Sequence, residues 1–153
     1  MRLRLPAFLF LALTAPLAAQ DREVPYWASI KTEKLNLRAG PGRDYPVRWV
    51  YHRPGLPLKV IRVHEGWRLV RDPAGDEGWV TANLLSKERG GIVVGEGLAA
   101  IREKPGDGSK LKWNAEPGVV AHIDDCADGW CRIDVEGRAG FMRAERLWGA
   151  ARP

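Results

Sequence analysis

Two cysteines, three histidines and a few clustered carboxylates are the side chains of this 153-residue chain best suited to do chemistry. Cys126 and Cys131 flank Ala127-Asp128-Gly129-Trp130, a four-residue loop that would set them opposite each other on an antiparallel hairpin. In an oxidising compartment that placement favours a disulfide. A redox pair and a metal site are the alternatives, and for a metal the nearest further ligands, His122 and Asp124, form no recognised spacing. Asp124, Asp125 and Asp128 lack the alternating oxygens and distal glutamate of a calcium loop and read as a solvated turn. His52, His64 and His122 are scattered over strand ends and turns, with no His-Glu-x-x-His or Gly-x-Ser-x-Gly pattern. The chain is therefore expected not to be an enzyme and to need neither cofactor nor metal.

The aromatics give the better lead. Trp67 and Trp130 stand three positions before Val70 and Ile133, which places them on the opposite face of a period-two strand. With the valine and isoleucine in a core, these tryptophans face outwards or plug a barrel end. They also belong to a repeat. Ile101-Arg102 and Pro105-Gly106 echo Leu37-Arg38 and Pro41-Gly42 at an offset of 64, as Trp113 echoes Trp49. Pro117-Gly118 answers Pro54-Gly55 and Gly129-Trp130 answers Gly66-Trp67 at 63, while Gly140-Phe141-Met142 answers Gly78-Trp79-Val80 at 62. Drift of one residue at a time is what insertions in surface turns leave behind, so two copies of one small fold are expected. A tryptophan that recurs in both copies more readily serves the fold than a ligand.

The elements that must position these residues are short strands. Runs rich in Val, Ile, Leu and Trp alternate with Gly/Pro turns, and no ten-residue stretch has helical apolar spacing. The first copy predicts strands over 34–38, 47–51, 58–63, 67–71 and 78–81. The second predicts 98–102, 111–114, 119–124, 130–135 and 139–143. Ile30 and Ile92 to Val94 could each add a leading strand, and Ala82 to Leu85 and Ala144 to Leu147 each read as one closing helical turn. So many strands in so few residues favour a small barrel over an open sheet. A copy of this size buries only about 60% of its unfolded surface and needs added support. The segment 87–91 is too short for a free tether, so the copies should sit against each other.

Leu35-Asn36-Leu37-Arg38-Ala39-Gly40-Pro41-Gly42, followed by Gly66-Trp67 and by Gly78-Trp79-Val80 with Asn83-Leu84-Leu85-Ser86, resembles the bacterial SH3-like domain family over most of residues 31–86. The second copy resembles it more loosely: it lacks the asparagine before the apolar-Arg pair and the first glycine of the turn, and Phe141 stands for tryptophan. The resemblance implies an all-β tandem of small SH3-like barrels on an exported protein, binding cell-wall peptides or other partners without catalysis of its own. The expected organisation is a leader over 1–19, a lead-in over 20–29, barrels over 30–86 and 92–149, a linker over 87–91 and a tail over 150–153.

Residues peculiar to the first copy mark the candidate ligand site. Tyr45 and Tyr51 stand where the second copy has Ser109 and Ala115, with Arg38, Arg43 and Arg48 near them in sequence. A ring beside a guanidinium suits a peptide with free carboxylates, although the same residues could equally be an ordinary solvated loop. Asn36, Trp49, Trp67 and Trp79 complete the candidate set. Between residues 31 and 85 there are ten Lys or Arg against six Asp or Glu, but between 92 and 148 eight against ten, which also points to the first copy.

Arg2 and Arg4 precede an apolar run over 7–17 that closes on Leu17-Ala18-Ala19, too short to span a bilayer and shaped as a secretory signal cleaved after Ala19. Without it the net charge is +3, from 22 basic and 19 acidic residues, a mild basicity that does not argue for nucleic acid. The mature chain is expected in the periplasm, outside the membrane. Its expected partner is peptidoglycan or its stem peptides. The alternatives are an adaptor for periplasmic proteins and an accessory to a separate wall hydrolase.

Overall fold

The computed structural model describes residues 23–153, so the expected leader lies outside the described residues. Each copy forms one seven-stranded antiparallel sheet. In the first, β1 (Tyr26–Ile30), β2 (Leu35–Arg38), β3 (Val47–Tyr51), β4 (Pro57–His64), β5 (Trp67–Arg71), β6 (Glu77–Thr81) and β7 (Leu85–Ser86) lie in the order β3-β2-β6-β5-β4-β1-β7. In the second, β8 (Gly90–Val93), β9 (Ala99–Arg102), β10 (Leu111–Ala115), β11 (Val120–Ala127), β12 (Trp130–Val135), β13 (Arg138–Arg143) and β14 (Leu147–Trp148) repeat that order as β10-β9-β13-β12-β11-β8-β14. Single 3-10 turns at Ala82–Leu84 and Ala144–Arg146 precede the last strand of each copy. The chain is an all-β tandem of SH3-like barrels.

Period-two alternation makes these strands. Leu35 and Leu37 are buried while Asn36 and Arg38 face outwards, and the same holds for Ala99 and Ile101 against Ala100 and Arg102. The two cores exchange volume at equivalent positions. Leu35, Tyr51 and Leu58 give way to Ala99, Ala115 and Ala121, while Val60, Val70 and Val80 give way to Ile123, Ile133 and Met142, all of them buried. The three large-to-small changes remove more side-chain volume than the three small-to-large changes restore, so the second copy has the smaller core at these positions. The second copy adds a staple: Cys126 and Cys131 are direct cross-strand partners, Cα atoms 4.0 Å apart, and are disulfide-bonded. Asp128 and Gly129, at φ 50° and 78°, make the two-residue turn beyond them, left-handed at both positions as the right-handed twist of a hairpin requires.

Two boundaries differ from the sequence expectation. Tyr26–Ile30, expected to be mostly lead-in, is a full strand between β4 and β7. Gly90 and Gly91, expected as linker, begin β8 and are buried. The first follows from pairing within its own copy and the second from docking of the copies. A Cβ on Gly90 would collide with the Gly55 carbonyl, and one on Gly149 with the Gly90 carbonyl, so these glycines are there for close backbone approach. Trp27 meets Trp148 edge to face at 4.6 Å and donates its indole N–H to the Ala151 carbonyl at 2.7 Å. The Ser29 hydroxyl donates to the Glu88 carbonyl at 2.9 Å, and the Arg89 guanidinium donates to the Gly149 and Ala150 carbonyls. Ile92 and Val120 of the second copy pack on the core of the first, supplying apolar cover that a lone small barrel lacks.

Candidate functional site

Alternation along β2 and the residue just before it puts Lys34, Asn36 and Arg38 on one face. There they form an open groove of about 320 Å³ with Arg43, Trp67, Thr81 and Leu84. Arg38 is the fixed point: its Nη1 donates to the carbonyls of Arg43 at 3.0 Å and Tyr45 at 2.8 Å. Those bonds tie the guanidinium to the loop between β2 and β3. Of its five donors most are left to face the groove or solvent. Three cations and no carboxylate line this groove, beside the half-buried Trp67 ring. Among the described residues no salt bridge or hydrogen bond engages the side chains of Lys34 and Arg43. The arrangement offers bidentate donors and an aromatic surface to an anionic, partly apolar ligand.

The second copy builds the same groove from equivalent positions and fills it differently. In its lining Leu98, Ala100, Arg102, Asp107, Trp130, Arg143 and Arg146 match Lys34, Asn36, Arg38, Arg43, Trp67, Thr81 and Leu84 in turn, and Glu145 adds a carboxylate. Arg102 repeats the loop clamp, donating to the Ser109 carbonyl at 2.6 Å. Where the first copy has Arg43 and Thr81, however, Asp107 and Arg143 form a two-bonded ion pair. The hydrogen bond from Arg143 holds the Asp107 carboxyl below its ordinary range, and the carboxylate holds the guanidinium above its own. The Arg143 guanidinium also lies 4.8 Å from the centre of the buried Trp130 ring. Arg146 is spent on the carbonyls of Val94, Glu96 and Gly97. The free cations of the first groove, Lys34 and Arg43, are replaced by Leu98 and Asp107, and the arginines the second groove gains, Arg143 and Arg146, are committed to partners.

The model of the family described as "Bacterial SH3 domain" matches residues 31–87 and again 95–149. This chain belongs to the bacterial SH3 domain family. Over 147 residues it is 24% identical to the Bacillus subtilis (strain 168) protein named "Putative N-acetylmuramoyl-L-alanine amidase YrvJ", a match covering 90% of this chain and 27% of that protein. The chain thus spans about a quarter of that relative. Solved structures similar to it include NlpC2 from Trichomonas vaginalis, with 15% identity, TM-score 0.37, and 84% of this chain and 49% of that one covered. An NlpC/P60 family protein from Bacillus cereus ATCC 10987 has 11% identity, TM-score 0.37, and 80% and 56% covered.

Within this tandem of bacterial SH3 domains, the groove brings together Asn36, Arg38, Arg43 and Trp67 of the residues expected from sequence. The others fall elsewhere. Tyr51 is in the core, 7% exposed, because it pairs with Leu35 across the sheet; its hydroxyl donates to Asp72 Oδ2 at 2.9 Å. Burial first, then that carboxylate as hydrogen-bond partner and as charge, and the charge of Asp76, push the Tyr51 phenol well above its ordinary value. Tyr45 lies against the Gly40–Gly42 turn, where a Cβ on Gly40 would run into its ring. The second copy has lost ring and glycine together, to Ser109 and Lys104, and Ser109 Oγ instead accepts the Lys104 amide at 2.9 Å. Arg48 and Trp49 are exposed on the edge strand β3, Trp49 by 61%. Trp79 pairs with Arg38 in register and meets His64 edge to face at 6.2 Å. Val70 and Ile133 are buried, with Trp67 on the outer face as the period-two reading places it. Lys34 was legible by the same alternation that marks Asn36 and Arg38, yet it does not stand out in the motif.

Among the described residues no group of three or more His, Cys, Asp or Glu is placed to hold a metal, and no helix is long and apolar enough to cross a membrane. Asp124 forms a surface ion pair with Arg132 at 3.4 Å and lies at the same distance from His122 Nε2.

Proposed function

We propose that this chain is an exported, non-catalytic binding protein of the cell envelope whose first barrel holds carboxylate-bearing peptides of peptidoglycan. The observation that carries this reading is the groove of the first copy, where Lys34, Arg38 and Arg43 surround Trp67 without an acidic neighbour in the lining. Peptidoglycan stems present free carboxylates, and the cations supply charge-assisted donors for them while the ring supplies apolar contact. The stretch shared with a protein named as an N-acetylmuramoyl-L-alanine amidase supports wall material as the ligand. The leader-like start supports a place outside the inner membrane.

Sedimentation with purified sacculi tests this. The mature chain should pellet with sacculi, less so as salt rises because exposed charges are screened. The double variant Lys34→Ala/Arg43→Ala should stay largely in solution. Undiminished pelleting of that variant would contradict the assignment. A protein adaptor is the second reading, favoured by the exposure of Val47 and Trp49 on the edge strand β3. It becomes the better one if the unaltered chain ignores sacculi.

A further inference from the structure

The second barrel carries a cleft of its own on another face. Its edge strand β10 and the turn into β13 frame an open cleft of about 610 Å³, floored by Trp113 and flanked by Lys110, Lys112 and Arg138, with Glu103 at its margin. That volume is in the range of small-molecule sites. The indole has the Lys112 ammonium 5.2 Å and the Arg138 guanidinium 5.0 Å from its centre, and the edge of its ring lies beside Gly140. Lys112 is also anchored, donating to the Ala139 carbonyl. Among the described residues no hydrogen bond or salt bridge engages the side chains of Lys110 and Arg138, so their charged donors are free.

This is not a feature inherited from the shared barrel. At the place of Arg138 the first copy has Asp76, at the place of Ala139 it has Glu77 bonded to Arg71 at 2.8 Å, and Trp49 stands open to solvent. Arg48 stands at the place of Lys112, but Lys110 and Arg138 have no cationic counterpart in the first copy, which has Pro46 and Asp76 there. An indole supplies the apolar surface that a sugar ring buries, and free guanidinium and ammonium groups supply what a carboxylate accepts. We propose that the Trp113 cleft is a binding site for a carboxylate-bearing sugar, separate from the peptide groove of the first barrel.

The indole N–H signals of the isotope-labelled, oxidised mature chain test the site, with the Trp113 signal assigned by its loss in Trp113→Phe. Three probes separate the chemistry: N-acetylmuramic acid, N-acetylglucosamine, which has the same ring without the lactyl carboxylate, and acetate. N-acetylmuramic acid should shift the Trp113 signal saturably. Binding should weaken about tenfold or more in Lys110→Gln/Arg138→Gln, persist in Arg138→Lys, and be unaffected by Lys34→Ala/Arg43→Ala. A well-dispersed amide spectrum in each variant shows that the barrel is intact. No saturable shift with N-acetylmuramic acid overturns the proposal. So does an equal response to N-acetylglucosamine, which removes the carboxylate from the recognition, or to acetate, which means an adventitious ion only.

Discussion

The two barrels share strand order, core positions and loop clamp, yet they differ at the positions that face solvent. The groove over Trp67 is open and cationic, whereas its counterpart over Trp130 is crossed by the Asp107–Arg143 pair. The edge around Trp49 has Arg48 beside it but Asp76 and Glu77 at the places of Arg138 and Ala139, whereas its counterpart around Trp113 is framed by lysines and an arginine. Duplication supplied two copies of each concave surface. Substitutions among the lining residues then left a different one available on each copy. Where a groove is formed by outward residues of strands whose inward residues make the core, its chemistry can change without disturbing the fold.

Several substitutions would break or sharpen this comparison. The largest effect is expected where the copies meet. Gly90→Ala places a Cβ against the Gly55 carbonyl, and overpacking of that kind costs about 1–3 kcal/mol. Thermal melting should show both barrels destabilised together, and independent melting of one barrel would mean that docking contributes little. Next, Cys131→Ser removes a staple that only the second copy has. Chain-entropy arithmetic for so short a loop gives about 2 kcal/mol, so hydrogen exchange should rise first in β11 and β12. A uniform rise across both barrels would contradict a local role.

Tyr51→Phe is a smaller change, about 1 kcal/mol for one hydrogen bond, confined to the first copy because the second has Ala115 at that place. It carries a pH signature. The folded-state value of Tyr51 is raised, so its contribution is complete below the unfolded tyrosine value of about 10 and is lost as pH rises beyond it. Alkaline titration followed by the melting temperature should show the first copy losing stability in that window, and Tyr51→Phe should remove the loss. The smallest effect on stability belongs to Asp107→Ser/Arg143→Thr, because that pair is exposed and screened. Its value lies in binding. Opening the second groove should leave the melting temperature nearly unchanged and should not reduce binding to sacculi.

Much of the fold was legible in the sequence because it rests on local periodicity and turn chemistry. Val47–Tyr51, Trp67–Arg71 and Trp130–Val135 have the predicted bounds, and the paired glycine turns set the hairpins. The misplaced segments depend on distant partners. Tyr26–Ile30 becomes a strand only against β4 and β7, and Gly90 is buried because Gly55 lies beside it. The site follows the same division. Asn36, Arg38 and Trp67 share a groove because strand alternation puts them on outer faces. Tyr51, a candidate ligand contact by sequence, lies in the core because what fixes it is its pairing with Leu35, and nothing in the local pattern marks Asp72 as its hydrogen-bond partner. The ion pair that closes the second groove joins residues 36 positions apart, beyond the reach of local spacing.

The central claim is that the first groove, and not its counterpart, binds wall peptides through free cations. Calorimetric titration of peptidoglycan stem-peptide fragments into the mature chain and two reciprocal variants tests it most directly. Lys34→Ala/Arg43→Ala should weaken binding by on the order of 1–3 kcal/mol and flatten its salt dependence, while Asp107→Ser/Arg143→Thr should leave both at least as strong. Full affinity in the first variant with loss in the second would contradict the account.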